Sequence, residues 1–136
     1  MARRYAKLAR IYGIIALCAG VFYREFTKLH GFYGHTSLIA LHVHYFTLGM
    51  MFFLLLALAE KQFAFSELKM RQLLPYYQAG LNLTGLAFLA RGVCQVLGTA
   101  SDGFGSSLIS GIAGIGHILL GVSLVVTLCE ICKKAE

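Results

Sequence analysis

The sequence predicts an all-α protein, a transmembrane four-helix bundle in up-down-up-down order with both termini in the cytoplasm. Composition is the first reason: 58% of the 136 residues are hydrophobic and 13% are charged, whereas about 25% are charged in soluble domains. The second reason is that four apolar runs are each long enough to cross a ~30 Å hydrocarbon core as a helix. The third is that lysines and arginines cluster at both termini and in the middle loop, as they do on the cytoplasmic side of a membrane.

The predicted spans cover residues 8–27, 36–59, 74–97 and 108–131 of one membrane domain over residues 1–136. Short connections favour antiparallel neighbours, which makes the second and fourth spans diagonal partners. The first span ends in the segment Phe22–Lys28, where aromatic and charged residues mix as at a membrane interface. In the third span, Pro75 lies in the predicted first turn, where its missing N–H removes no hydrogen bond.

The net charge is +6. The positively charged residues mostly flank the predicted spans, so they do not indicate a nucleic-acid surface. Only Arg24, Lys28 and Arg91 fall outside the segments predicted to be cytoplasmic. No motif for nucleic-acid recognition accompanies the charges. We therefore expect a multi-pass protein whose partner is the lipid bilayer, and we leave open whether it forms a homo-oligomer.

Two histidines, His42 and His44, lie inside the second predicted span. Imidazoles are costly in hydrocarbon, so each needs a partner. Residues two apart on a helix point about 200° apart, so the two rings face different neighbours. His44 is about 12 Å below the outer end of its span and His117 about 13 Å below the outer end of the fourth. On this match we favour His44 as the inward-facing histidine, with His42 as the alternative.

Other polar residues lie on the same side of the predicted bundle. Arg91 and Gln95 belong to the outer part of the third span, and Arg24 and Glu25 to the end of the first. Polar side chains from all four spans therefore converge on the outer half. Because Arg91 lies about 10 Å below the outer end of its span, we expect an anionic partner for it, such as Glu25.

The first functional hypothesis is a haem b site. Histidines on diagonal helices at matched depth can ligate haem iron from both faces, so His117 and either His44 or His42 are candidate axial ligands. Arg91 or Arg24 would pair with the propionates, with Gln95 nearby. Such a protein would serve electron transfer, haem handling or sensing.

Two further hypotheses use the same residues differently. His42 or His44 with His117 and Glu25 offers imidazole and carboxylate ligands for Zn or Cu, which would suit a small transporter or a metal-handling protein. Alternatively, the histidines only hydrogen-bond neighbouring helices of a structural or assembly subunit. An enzyme is less favoured, because no serine or cysteine forms a nucleophile arrangement with a histidine. The pattern Cys129-x-x-Cys132 in a membrane helix is only a weak redox signal.

Four motifs follow one another along the chain. They are Phe22-Tyr23-Arg24-Glu25-Phe26-Thr27-Lys28, His42-x-His44 with Leu48-Gly49, Arg91-Gly92-x-x-Gln95-Val96 and Gly111-x-x-Gly114-x-Gly116-His117. Together they resemble a family of small membrane proteins, mainly of Gram-positive bacteria, that carries a domain-of-unknown-function label. The resemblance covers essentially the whole chain. It implies four spans in a bacterial cytoplasmic membrane, and it implies no activity.

The stretch with His42, His44, Leu48 and Gly49 also resembles the haem-ligand helix of haem-copper oxidases and related nitric-oxide-response membrane proteins. This second resemblance covers one helix and implies a haem-binding histidine within it. The chain lacks the further histidines that build the copper centre of those enzymes, so the resemblance does not extend to oxygen reduction.

Overall fold

A computed structural model describes residues 1–65, 68–99 and 103–135, apart from the side chains of Leu68 and Phe104. These residues form four helices and no strand, which confirms the all-α class. The helices are α1 (Ala2–Leu29), α2 (Leu38–Phe63), α3 (Leu68–Val96) and α4 (Phe104–Ala135). All four are longer than the predicted spans, because helical hydrogen bonding continues into the polar flanks.

Three helices are long and apolar enough to cross a membrane: α1, α2, and α4 from Gly105 to Ala135. The protein is therefore a membrane protein by length and composition of its helices. Helix α3 does not meet this criterion among the described residues, although its 29 residues suffice in length. It carries Gln78, Asn82, Arg91 and Gln95, and its crossing of the membrane stays a prediction.

Polar contacts between helix ends show how consecutive helices lie against each other. The amino group of Met1 lies 3.6 Å from Glu60 Oε1, which places the start of α1 beside the end of α2. Lys69 Nζ lies 2.6 Å from Glu130 Oε1, which places the start of α3 beside the end of α4. We call this end of the bundle the terminal end and the end that carries the 30–37 loop the loop end.

The helices pack in chain order. Helix α1 packs along α2, the first part of α2 packs on α3, and α3 packs along α4. In contrast, α1 and α4 form no packed interface among the described residues. The core is aromatic toward the terminal end, where Tyr5, Phe53 and Tyr77 are almost fully buried. The ring centroids of Phe53 and Tyr77 are 5.5 Å apart, so α2 and α3 are joined there by an aromatic contact.

Helix α2 contains a π-helical segment, Tyr45–Met51, between two α-helical parts. In a π-helix the backbone hydrogen bonds join residues five apart instead of four. Tyr77 of α3 donates its hydroxyl to the carbonyl of Leu48 in this segment, at 2.8 Å. Gly49 faces α1 so closely that a Cβ would lie 2.7 Å from Cβ of Tyr12. The segment is therefore held by both neighbouring helices.

The prediction that Pro75 lies in the first turn of a helix was wrong. Helix α3 begins at Leu68, so Pro75 lies inside it. Tertiary contacts extend the helix toward its N-terminus: Met70 and Leu74 are buried, and Lys69 pairs with Glu130. These contacts offset the single backbone hydrogen bond that proline removes.

Helices α3 and α4 approach each other closely, and they meet at glycines. A Cβ on Gly80 would lie 2.6 Å from the backbone nitrogen of Leu120 and 2.8 Å from the carbonyl oxygen of Gly116. Small residues allow such approach, and van der Waals packing is the main attraction between helices in lipid. Thr84 is fully buried beside this contact.

We predict that Gly80→Ala separates α3 from α4 and lowers the free energy of unfolding by about 1–3 kcal/mol, the usual cost of overpacking. The matched control is Gly111→Ala, because a Cβ there meets no atom within 4 Å. The control should be unchanged or more stable by up to about 1 kcal/mol from helix propensity. Thermal unfolding in detergent measures both, and equal midpoints for the two variants would contradict the close approach.

Candidate functional site

The structure brings His44 of α2 and His117 of α4 together, as depth matching predicted. Their ring centroids are 5.8 Å apart, with an angle of 61° between the planes. Phe88 of α3 packs its ring edge-on against both, at 5.3 Å from His44 and 6.0 Å from His117. Three helices thus contribute one ring each to a compact cluster, and the cluster lies directly before the π-helical segment of α2.

Each of the two imidazoles has a nitrogen atom without a hydrogen-bond partner among the described residues. His117 Nδ1 lies 2.8 Å from the carbonyl oxygen of Ala113 in its own helix. A ring nitrogen that faces a carbonyl must be the protonated one, so Nε2 of the neutral ring keeps its lone pair. His44 Nε2 is buried and has no hydrogen-bond partner among the described residues. An unsatisfied buried polar atom costs about 1–3 kcal/mol, so it marks a place where a partner is expected.

Space adjoins the histidine pair. Helix α2 packs its backbone closely against α4 through its Phe52–Phe63 part, whereas between Leu38 and Met51 the two helices meet through the side chains of His44 and His117. Next to the exposed His117 on α4, a Cβ on Gly114 or Gly121 would meet nothing within 4 Å. We call the region bounded by His44, Phe88, His117 and Gly114 the histidine cleft.

His42 does not belong to the histidine cleft. Its Nδ1 lies 2.7 Å from the carbonyl oxygen of Ala16 in α1. Gly20 makes room for the ring, since a Cβ there would lie 3.0 Å from the same nitrogen. The two histidines of the motif therefore face different helices, and His42 joins α2 to α1.

Arg91 lies on the same side of the bundle as His117. Its Nη2 donates to Ser110 Oγ at 2.7 Å, and Ser110 donates in turn to the carbonyl of Ser106 at 2.9 Å. Ser110 is seven residues, or two turns, before His117, so it lies about 10 Å away toward the loop end on the same face. The expected partner Glu25 is not bound to Arg91, because it lies on α1 and pairs with Arg24 at 3.4 Å.

The remaining predicted site residues lie outside the histidine cleft. Gln95 Oε1 accepts a hydrogen bond from the backbone N–H of Ser37 at 2.7 Å, which satisfies a donor at the start of α2. The side chain of Arg24 is 77% exposed and that of Glu25 is 48% exposed. Their mutual ion pair is an interfacial one of small energetic weight.

The ligand set proposed for Zn or Cu is not assembled. Among the described residues no three or more side chains of histidine, cysteine, aspartate or glutamate come together as a metal group. Cys129 and Cys132 are free and exposed near the end of α4.

Two features of the site were missed from the sequence. Phe88 carries no polar signal, although it lies three residues before Arg91 and thus on the same helix face. The π-helical segment was missed because a regular period of 3.6 residues was assumed throughout α2. The presence of Gly49 in that segment was the available signal.

The chain matches one protein family over residues 2–135, and that family is described as a protein of unknown function (DUF2871). Comparison with curated proteins and with solved structures gives no match. The resemblance to a family that carries a domain-of-unknown-function label, noted from four sequence motifs, is thereby confirmed. It carries no activity with it, so function has to be argued from the geometry.

We predict that His42→Leu lowers the free energy of unfolding by about 0.5–1.5 kcal/mol, because it removes a hydrogen bond between α1 and α2. The matched control is His30→Leu, because His30 Nδ1 bonds only the carbonyl of Phe26 in its own helix, at 2.8 Å. Thermal unfolding in detergent should separate the two variants. An unchanged midpoint for His42→Leu would show that this histidine does not hold the helices together.

Proposed function

The chain belongs to the DUF2871 family of unknown function, and we propose from the histidine cleft that it is a membrane protein that binds haem b. His44 and His117 would be the axial ligands. The observation that carries this proposal is the 5.8 Å separation of the two rings, together with the buried, unpartnered Nε2 of His44. The role would be electron transfer, haem handling or sensing.

The number of available ligands favours haem over a simple metal ion. Structural zinc needs four protein ligands and catalytic zinc needs three, whereas the histidine cleft supplies two imidazoles. Haem carries four nitrogen ligands of its own, so two axial histidines complete its iron. Its flat ring also suits a cleft that is bounded by Phe88 and by the bare helix surface at Gly114.

The surrounding residues would position the group. The hydrogen bond from His117 Nδ1 to Ala113 fixes the ring and leaves Nε2 as the coordinating atom, as the outer contacts of metal-bound histidines usually do. Arg91, about 10 Å toward the loop end, would pair with a propionate and is already oriented by Ser110. When bound, haem b would supply one-electron chemistry.

We further propose the membrane arrangement. All four helices, α3 included, would cross a bacterial cytoplasmic membrane in up-down-up-down order, with the terminal end in the cytoplasm. The contacts of Met1 with Glu60 and of Lys69 with Glu130 support antiparallel neighbours. The cations Arg3, Arg4 and Lys7 near the terminal end support its cytoplasmic location. The histidine cleft would then lie in the outer half of the membrane.

We predict that protein purified from haem-replete cells has a Soret band and narrow bands on reduction, with about one haem per chain. His44→Ala and His117→Ala should each abolish these bands, because each removes an axial ligand. His30→Ala is the control, since that exposed histidine bonds only its own helix, and it should keep the spectrum. Absorption spectroscopy and iron analysis measure all four proteins.

Three outcomes would contradict the haem proposal. Colourless, iron-free protein that contains zinc or copper would favour the metal-handling alternative. Colourless protein without any of these metals would favour a structural or assembly subunit. Full colour in both His44→Ala and His117→Ala would show that the haem lies elsewhere.

We predict that thiols introduced at the loop end are labelled from outside intact cells by a membrane-impermeant maleimide. Tyr33→Cys tests the 30–37 loop, where Tyr33 is 99% exposed, and Thr99→Cys tests the connection after α3. The parent protein for both variants carries Cys94→Ser, because Cys94 is a free, partly exposed thiol near the loop end. With Cys129 and Cys132 near the terminal end, this parent should be labelled only after permeabilisation. Labelling of Tyr33→Cys without Thr99→Cys would show that α3 does not cross.

A further inference from the structure

A second concave site lies between α1 and α3. It is a cavity of about 450 Å³, within the 300–1,000 Å³ usual for ligand sites. Its floor is formed by the buried Ala19, Leu41 and Tyr45, and its rim by the exposed Ile14, Cys18 and Leu86. We call it the apolar groove. None of the residues that define the histidine cleft lines it.

The apolar groove exists because α1 and α3 touch at the level of Tyr12 and Asn82 and are farther apart toward the loop end. Asn82 of α3 donates to the Tyr12 hydroxyl of α1 at 3.2 Å. The Tyr45 hydroxyl donates to the same asparagine at 3.3 Å. Tyr45 also fills the place beside Gly85, where a Cβ would collide with its hydroxyl. The hydrogen bonds among Tyr12, Asn82 and Tyr45 therefore close the groove toward the terminal end. The rest of the groove is apolar and is open along its side.

The exposed face of α1 continues from the apolar groove to a set of cations. Lys7, Ile11, Ile14 and Cys18 follow at helical spacing on one exposed stripe, and Arg4 precedes them. Lys7 lies about 16 Å from Cys18 along the helix axis. This is close to half of a ~30 Å hydrocarbon core, the depth that the acyl chains of one leaflet occupy.

These cations are available to an anion. Within the described part of the chain, neither Arg4 nor Lys7 joins an ion pair with a carboxylate, and both are exposed. Arg71, near the start of α3, is exposed at the same end of the bundle. A surface with an apolar groove at acyl-chain depth and cations one chain length away is complementary to one amphiphile of negative charge.

We propose that the apolar groove binds one acyl chain of an anionic phospholipid, whose phosphate is held by Lys7 and Arg4. The lipid would come from the leaflet at the terminal end. Basic residues at a membrane surface attract anionic headgroups. The groove would hold the acyl chain of one of these lipids in a defined position. The proposal rests on the membrane location alone and is independent of haem in the histidine cleft.

The headgroup contact is tested by native mass spectrometry of the detergent-solubilised protein with added phosphatidylglycerol or phosphatidylcholine. One phosphatidylglycerol should bind in preference to phosphatidylcholine. Lys7→Gln and Arg4→Gln should each weaken it about fivefold, whereas the control Lys28→Gln, at the other end of α1, should not. Equal binding of the two lipids, or an equal loss in the control, would overturn the headgroup contact.

The groove contact is tested by Cys18→Phe, which fills the apolar groove from its rim. The matched control is Leu17→Phe, because Leu17 is 62% exposed and does not line the groove. Only Cys18→Phe should reduce the bound phosphatidylglycerol. Undiminished binding in this variant, or displacement of the lipid by inorganic phosphate, would overturn the proposal.

A measurement on the unsubstituted protein does not depend on the stability of any variant. Phosphatidylglycerol with a photoreactive group in its acyl chain should cross-link to residues 14–22 and 85–89 after illumination. Cross-links confined to the exposed face of α4, around Ile118 and Val125, would show that lipid merely coats the bundle and would overturn the apolar groove as a site.

Discussion

Hydrogen bonding in an apolar solvent is the constraint on which the arrangement of these helices depends. Hydrocarbon offers no partner to a polar group, so each must be satisfied within the protein. Five residues of α3 form hydrogen bonds to other parts of the chain, whereas Gln78 and Thr84 bond carbonyls of their own helix. These hydrogen bonds to other parts of the chain join Gly92 to Thr36, Gln95 to Ser37, Asn82 to Tyr12 and Tyr45, Tyr77 to Leu48, and Arg91 to Ser110. These bonds explain how the least apolar helix lies between two apolar ones.

Nε2 of His44 is an exception to this rule, because it is buried and has no hydrogen-bond partner among the described residues. The next imidazole is that of His117, and its own hydrogen bond leaves a second lone pair free. Because intramembrane ionisable residues are costly, such a pair supports the hypothesis of a functional site. The π-helical segment that begins at Tyr45 adds to this, since such segments often occur at functional sites.

The bundle is tight on one side of α4 and open on the other. Gly80 and Gly116 let α3 and α4 touch through their backbones, whereas Gly111, Gly114 and Gly121 face open space. In the same way, α1 is hydrogen-bonded to α3 at Asn82 but is farther from it toward the loop end. Close packing at a few levels thus leaves two lateral openings, the histidine cleft and the apolar groove. Both are open on the side of the bundle.

The sequence by itself determined the all-α fold class and predicted that His44 and His117 lie at the same level of the bundle. Apolar run length and the placement of charges predict the helices, because each depends on local composition relative to a membrane of fixed thickness. The match of His44 with His117 follows from the same arithmetic, since depth is proportional to residue number along a helix.

Tertiary structure alone decided which partner each polar residue has. Arg91 bonds Ser110 and not Glu25, His42 bonds α1, and Phe88 completes the histidine cleft. The π-helical segment and the extension of α3 past Pro75 are likewise set by contacts with other helices. Facing direction and helix separation depend on the packing of distant residues, which a single sequence read by its periodicity does not contain.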